Sequence, residues 1–273
     1  MLQINNLEKT FADGTGALRG ASFSVERGEF VVILGPSGAG KTTLLRCING
    51  LATPTGGEIL FEGRPVGQDT LPEIRRSIGM VFQDFNLVGR LSAINNVLTG
   101  MLDTSSTLAS MFYLFSKEQK MQALECLDHV GILHKAHIRA GHLSGGQQQR
   151  VGIARALVKK PLILLADEPV ASLDPLIAFN ILALLKDICV NDGITIVCNL
   201  HQVDLALKFA DRIVGLSEGR VVMDRPVNQV DESYIREIYN GHDKGIFYGP
   251  KESWANTADT ERFEVGTLNG GEQ

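Results

Sequence analysis

Apolar positions along the chain change period several times, and each change predicts an element. The segments LQINNLEKTF and ASFSV alternate apolar and polar residues, which predicts strands, with Asp13-Gly14 and Arg27-Gly28 as turn punctuation. FVVIL (Phe30 to Leu34) is a continuous apolar run, the pattern of a strand buried on both faces. A glycine-rich loop follows, then TTLLRCING at helical spacing, with Gly50 placed to terminate it. From about Ser92 to Ala140 strand signals fade. KEQKMQALECLDHV reads there as a helix with apolar side chains at Met121, Leu124 and Leu127. Strand PLILLADEP, helix FNILALLKDI, strand ITIVCNL and helix VDLALKFA come next, and the short strand pair DRIVGLSEGRVVM closes the series. Strands alternating with helices predict an α/β fold with a mainly parallel sheet, here carrying an inserted helical subdomain.

Composition narrows the class. The chain has 273 residues, 44% of them hydrophobic and 21% charged, enough apolar material for one large core. A net charge of −5 without long basic runs disfavours nucleic acid as the main partner. Cys47, Cys126, Cys189 and Cys198 form no C-x-x-C pair, which fits a reducing compartment and not a zinc site. His129, His134, His137 and His142 lie close in sequence without thiolate or carboxylate help and read as solvated positions. The N-terminus carries no basic-then-apolar signal pattern. No run approaches the ~20 apolar residues that cross a bilayer. LASMFYLF, 108–115, is too short to do so. After Gly241 the sequence turns polar and predicts a weakly ordered tail, pinned by Phe247, Tyr248 or Trp254. The expected divisions are therefore an ordered α/β body over 1–240, its helical subdomain at about 84–142, and a tail over 241–273.

The candidate chemistry begins at the loop after FVVIL. Gly35, Pro36, Ser37, Gly38, Ala39, Gly40, Lys41 and Thr42 match G-x-x-x-x-G-K-[ST], between a predicted strand and a predicted helix that Thr43 continues. Glycines let the backbone turn its N–H groups toward phosphate oxygens, and the helix start adds its positive dipole end. Lys41 offers a point charge for the β- and γ-phosphates, and Thr42 a hydroxyl for Mg²⁺. Strand LILLADE then ends in two acids. Asp167 suits a hold on Mg²⁺, and Glu168 is placed to polarise an attacking water.

A second polar turn, Leu143-Ser144-Gly145-Gly146-Gln147, runs into the helix QQQRVGIARALV. It offers another anion cradle at a helix start, or simply a helix N-cap at Ser144. One chain does not need two cradles for one γ-phosphate. Two chains packed head to tail would use both.

Taken together, GPSGAGKT, LSGGQ, and LLADEP followed by SLD resemble the nucleotide-binding subunits of ABC transporters over about residues 1–240. The resemblance implies a P-loop NTPase (RecA-like) core with an N-terminal antiparallel β subdomain. It implies ATP and Mg²⁺ as ligands. It implies Gln83 as the glutamine touching Mg²⁺ and water, Asp174 within a loop crossing the dimer interface, and His201 as the histidine on the γ-phosphate. Phe11 stands where an aromatic stacks on adenine, although tyrosine is commoner there.

The same resemblance implies a dimer on the cytoplasmic face of the membrane, bound to separate permease subunits and served by an external substrate-binding protein. The segments LASMFYLF and DFNLVGRLSAINNVL are candidates for the permease dock. VFQDFNLVGRLSAINNVL, LADEPVASLDP and NLHQVDLALKFADRIVGL resemble the phosphonate-import ATPases, which implies uptake of phosphonate, phosphite, phosphate or another small solute.

Four other classes fit less well. A chromosome or DNA-repair ATPase carries long heptad insertions, absent here. A translation-associated ABC protein carries two cassettes on one chain. A guanine-binding relative would show N-K-x-D. A nucleotide-gated binding module without turnover is disfavoured by Glu168 and His201.

Overall fold

The computed structural model describes residues 1–104 and 115–239. The predicted tail and most of LASMFYLF lie outside these described residues.

Two sheets enclose the first helix. Strands β1 (Leu2–Thr10), β2 (Gly16–Val25), β4 (Gly56–Phe61) and β5 (Arg64–Pro65) form an antiparallel sheet in the order β2-β1-β4-β5. Its alternation is the one the sequence predicts, with Leu2 and Ile4 on β1 and Ala21, Phe23 and Val25 on β2 facing inward. The second sheet contains β3 (Phe30–Leu34), β6 (Ile78–Val81), β7 (Ile163–Asp167), β8 (Thr195–Asn199), β9 (Arg212–Ser217) and β10 (Arg220–Pro226). Its order is β10-β9-β3-β8-β7-β6, parallel throughout except for the edge strand β10. Every residue of β3, β7 and β8 is buried, as expected for parallel strands covered on both faces.

Helix α1 (Lys41–Ile48) packs in the core shared by the two sheets. Leu44, Leu45 and Ile48 are fully buried there, each contributing about 1.5–3 kcal/mol of transfer free energy. Gly50, with φ +67°, ends the helix at the expected position. The sequence reading missed β4, β6 and the one-turn α2 (Leu71–Ile74). Each is short, and β6 has only four residues, too few to establish a period.

Helices α3 (Ala93–Leu98), α4 (Lys117–His129) and α5 (Gly145–Leu157) pack on one another as the helical subdomain. Within α4 the inward face is Ala123 and Leu127, one turn apart. Met121, one of the apolar positions that marked the helix, is 49% exposed because it falls off that i,i+4 stripe. Helix α6 (Pro175–Asp192) begins earlier than its apolar pattern suggests, because Pro175 at the first position favours initiation. Helices α7 (Val203–Phe209) and α8 (Glu232–Tyr239) complete the described chain. The second of these was not predicted. No described helix is long and apolar enough to cross a membrane.

Candidate functional site

Parallel strands deliver their loops to one edge of the sheet, where their C-terminal ends meet. There β3 leads into the phosphate loop, β7 ends at Asp167, β8 ends at Asn199 just before His201, and β6 ends two residues before Gln83. Crevices at this edge are the usual ligand sites of open α/β sheets.

The phosphate loop is shaped by tight approaches. Gly40 has φ +103°, and a Cβ there would lie 2.3 Å from the carbonyl oxygen of Ala17. It is the N-cap of α1 and gives no side-chain cap, so no side chain of the helix start blocks its first N–H groups. Lys41 is buried, at 5% exposure, and its Nζ donates to the carbonyls of Gly35 at 2.8 Å and Pro36 at 3.0 Å. Burial lowers its pKa, and the nearby Glu168 and Asp167 oppose that shift.

Across from the loop, Thr42 Oγ1 donates to Asp167 Oδ1 at 2.9 Å, and Asn199 Nδ2 donates to the same oxygen at 2.8 Å. A hydroxyl beside a carboxylate is a hard-oxygen pair of the kind that Mg²⁺ takes. Glu168 turns the chain through φ +47°, an uncommon conformation for a non-glycine residue. Its Oε1 lies 2.5 Å from His201 Nε2. The structure therefore brings together Lys41, Thr42, Asp167, Glu168 and His201. Sequence reasoning passed over Asn199, although a polar side chain inside the apolar run ITIVCNL was a visible signal.

The remaining candidates lie apart from this group. Gln83 is exposed on the segment after β6 and makes no hydrogen bond to the five. Phe11 sits just past β1, 43% exposed, with Lys9 Nζ 5.3 Å from its ring centre. Asp174 is exposed at the N-cap of α6. Ser144 and Gln147 hydrogen-bond reciprocally at the start of α5: Ser144 Oγ accepts from Gln147 N at 3.4 Å, and Gln147 Oε1 accepts from Ser144 N at 3.1 Å. A Cβ at Gly146 would lie 2.5 Å from Ile177 Cγ2, so close packing against α6 is one physical reason for glycine there.

The segment after Gln83 is tied to the far end of α5. Phe85 and Asn86 both have left-handed φ, and Arg155 donates to their carbonyls at 2.9 Å and 2.5 Å. Of the proposed docking segment, Val88 is 51% exposed, whereas Ala93, Ile94, Val97 and Leu98 are core. His129 is 3.6 Å from Asp192 of α6, and no metal-binding cluster occurs among the described residues.

Residues 18–171 match the family model described as ABC transporter. A phosphonates import ATP-binding protein of Thiobacillus denitrificans is 53% identical over 238 residues, 87% of this chain and 92% of that protein. A phosphite import ATP-binding protein of Stutzerimonas stutzeri is 48% identical, over 88% of each chain. Among solved structures, the dimeric post-hydrolysis state of an ATP-binding cassette bound to ADP and Pi is 38% identical. It has a TM-score of 0.73 and covers 83% of this chain and 99% of that one. A nucleotide-free cassette from an ABC transporter gives a TM-score of 0.76 at 28% identity, covering 87% of this chain and 94% of that one.

Proposed function

This chain belongs to the ABC transporter family, and we propose that its ATPase activity drives uptake of phosphonate or a related phosphorus oxyanion through a separate membrane permease. The observation that carries the ATPase reading is the meeting of Thr42, Asp167, Glu168 and His201 beside Lys41. The phosphorus substrate rests on the names of the relatives, which import phosphonates and phosphite.

In this reading the phosphate loop from Gly35 to Thr43 holds the triphosphate. Its N–H groups and Lys41 neutralise phosphate charge. Lys41 exchanges the Gly35 and Pro36 carbonyls for phosphate oxygens, which compensate its buried charge better. Thr42 and Asp167 would hold Mg²⁺, which would supply charge neutralisation for the triphosphate. Gln83, exposed just past β6, would contribute an amide to the metal's environment.

Glu168 orients water for in-line attack, and His201 steadies the γ-phosphate and holds the Glu168 carboxylate. Phe11 supplies a π-face for adenine. A second copy closes the site with its Ser144-Gly145-Gly146-Gln147 turn, and Asp174 lies at that interface. The dimeric relative bound to ADP and Pi supports this assembly. The assembly lies at the cytoplasmic face of the membrane, where the helical subdomain meets the permease, and an external binding protein delivers the solute.

Two measurements test the proposal. Glu168→Gln should lower steady-state ATPase by about 10²-fold or more while ATP still binds; equal rates would remove Glu168 from catalysis. Deletion of the gene should abolish growth on phosphonate or phosphite as sole phosphorus source. Unchanged growth on phosphonate, phosphite and phosphate would overturn the substrate assignment.

A further inference from the structure

Strand β8 carries one polar side chain deep in the sheet that the scheme above leaves without a role. Asn199 is in register with Asp167 on β7 and with Ile33 on β3. It therefore stands between the strand that launches the phosphate loop and the strand that ends in the acid pair. It is fully buried, with 0% exposure.

Register partners on neighbouring strands project from the same face, which explains how Nδ2 reaches Asp167 Oδ1 at 2.8 Å. The other amide atom, Oδ1, is sealed from solvent and meets no donor. A buried carbonyl without a donor is unfavourable, and leucine, with the same branching and somewhat larger methyl groups, would lack that defect. Packing therefore does not explain asparagine here. Its N–H donor does.

That donor converges with the Thr42 hydroxyl on a single carboxylate oxygen, Asp167 Oδ1, and among the described residues no hydrogen bond reaches Oδ2. Two donors on one oxygen fix the rotation of the carboxylate and leave its second oxygen uncommitted. An amide achieves this without adding charge beside Lys41.

We propose that Asn199 is a positioning residue, locking the Asp167 carboxylate in the orientation that receives the divalent cation of the nucleotide complex. The inference rests on the reading of Thr42 and Asp167 as the protein's cation ligands. Outer partners of this kind typically alter metal affinity by 10–100-fold.

The test uses the full chain and Asn199→Leu, with Asn199→Ala read in the same way should the leucine variant not fold. ADP binding is measured by calorimetry in EDTA and across a Mg²⁺ titration, and Mn²⁺ bound with ADP is followed by electron paramagnetic resonance. Affinity in EDTA should match the wild type within about twofold. The Mg²⁺ concentration giving half of the affinity gain should rise about tenfold or more, and the Mn²⁺ signal should broaden. The thermal midpoint of the nucleotide-free leucine variant should stay level or rise. An unchanged Mg²⁺ midpoint, or an equal loss of ADP affinity with and without the metal, overturns the proposal. A wild type whose ADP affinity ignores Mg²⁺ overturns instead the reading of Thr42 and Asp167 on which it stands.

Discussion

Helices α1 and α5 both begin in glycine-rich turns, yet their first turns are satisfied in different ways. Left-handed Gly40 precedes α1 and offers it no side chain, so its leading N–H groups remain available to a ligand. Ser144 precedes α5 in extended conformation and forms a capping box with Gln147. The first turn is built to be completed from outside. The second is complete within its own chain, so any contact it makes to a neighbour's nucleotide must use the outward side of Ser144 or open the box. In the proposed scheme, holding nucleotide and closing over a neighbour's nucleotide would fall to two differently prepared helix ends.

The largest effect that would break this contrast comes from Gly40→Ala. The added Cβ meets the Ala17 carbonyl at 2.3 Å in a conformation that L-residues rarely adopt. Stability should fall by about 2 kcal/mol or more and nucleotide binding should be lost, measured by denaturant unfolding and calorimetry. Retained nucleotide affinity would show that the open first turn is dispensable.

Next comes Arg155→Met, at the opposite end of α5. It removes the hydrogen bonds to Phe85 and Asn86, of which only the first is partly buried, with an expected loss of roughly 1 kcal/mol. Hydrogen exchange should rise in the segment after Gln83 while the phosphate loop stays protected. Equal protection in both proteins would show that α5 does not hold that segment.

Ser144→Ala should cost about 1 kcal/mol through the lost cap, and Ser144→Gly only a few tenths. If Ser144 acts across the dimer, both variants should lose ATPase far beyond their difference in stability. Activity that tracks stability alone would reduce Ser144 to a cap.

The smallest effect is a pH slope. Burial lowers the Lys41 pKa in the folded protein, so between that value and the ordinary 10.5 the unfolded chain binds more protons. Stability of the nucleotide-free protein should rise with pH across that window. Lys41→Met should flatten the slope, and an identical slope in both proteins would contradict the assigned cause.

Much of this was legible in the sequence because local signals agreed with the fold. FVVIL, LILLAD and ITIVC are apolar without alternation because their strands are covered on both faces, and each ends where chemistry begins. Motif spacing located Lys41, Thr42, Asp167 and Glu168, but not which of them touch. That depends on β7 and β8 being neighbours with Asp167 opposite Asn199, a pairing between positions 32 residues apart. Asn199 stood out as a polar residue in an apolar run, but only the register shows that Asp167 lies beside it. Helix α8 was missed although Ile235, Ile238 and Tyr239 repeat at i, i+3 and i+4; at eight residues the stripe is short, and its partners are β9 and β10. Nor could apolarity alone separate the docking candidates from core: in DFNLVGRLSAINNVL, Val88 is open whereas Val97 is sealed.

The phosphate loop also leans on the far end of the cassette. Gly219, in the turn between β9 and β10, donates to the Ala39 carbonyl at 3.0 Å and accepts from the Arg19 amide at 2.9 Å, while β9 pairs directly with β3. On a translating ribosome, the loop residues emerge more than 170 positions before the segment that braces them. The loop therefore gains this brace only after β9 and its turn have been made, so a chain truncated before Gly219 lacks both hydrogen bonds.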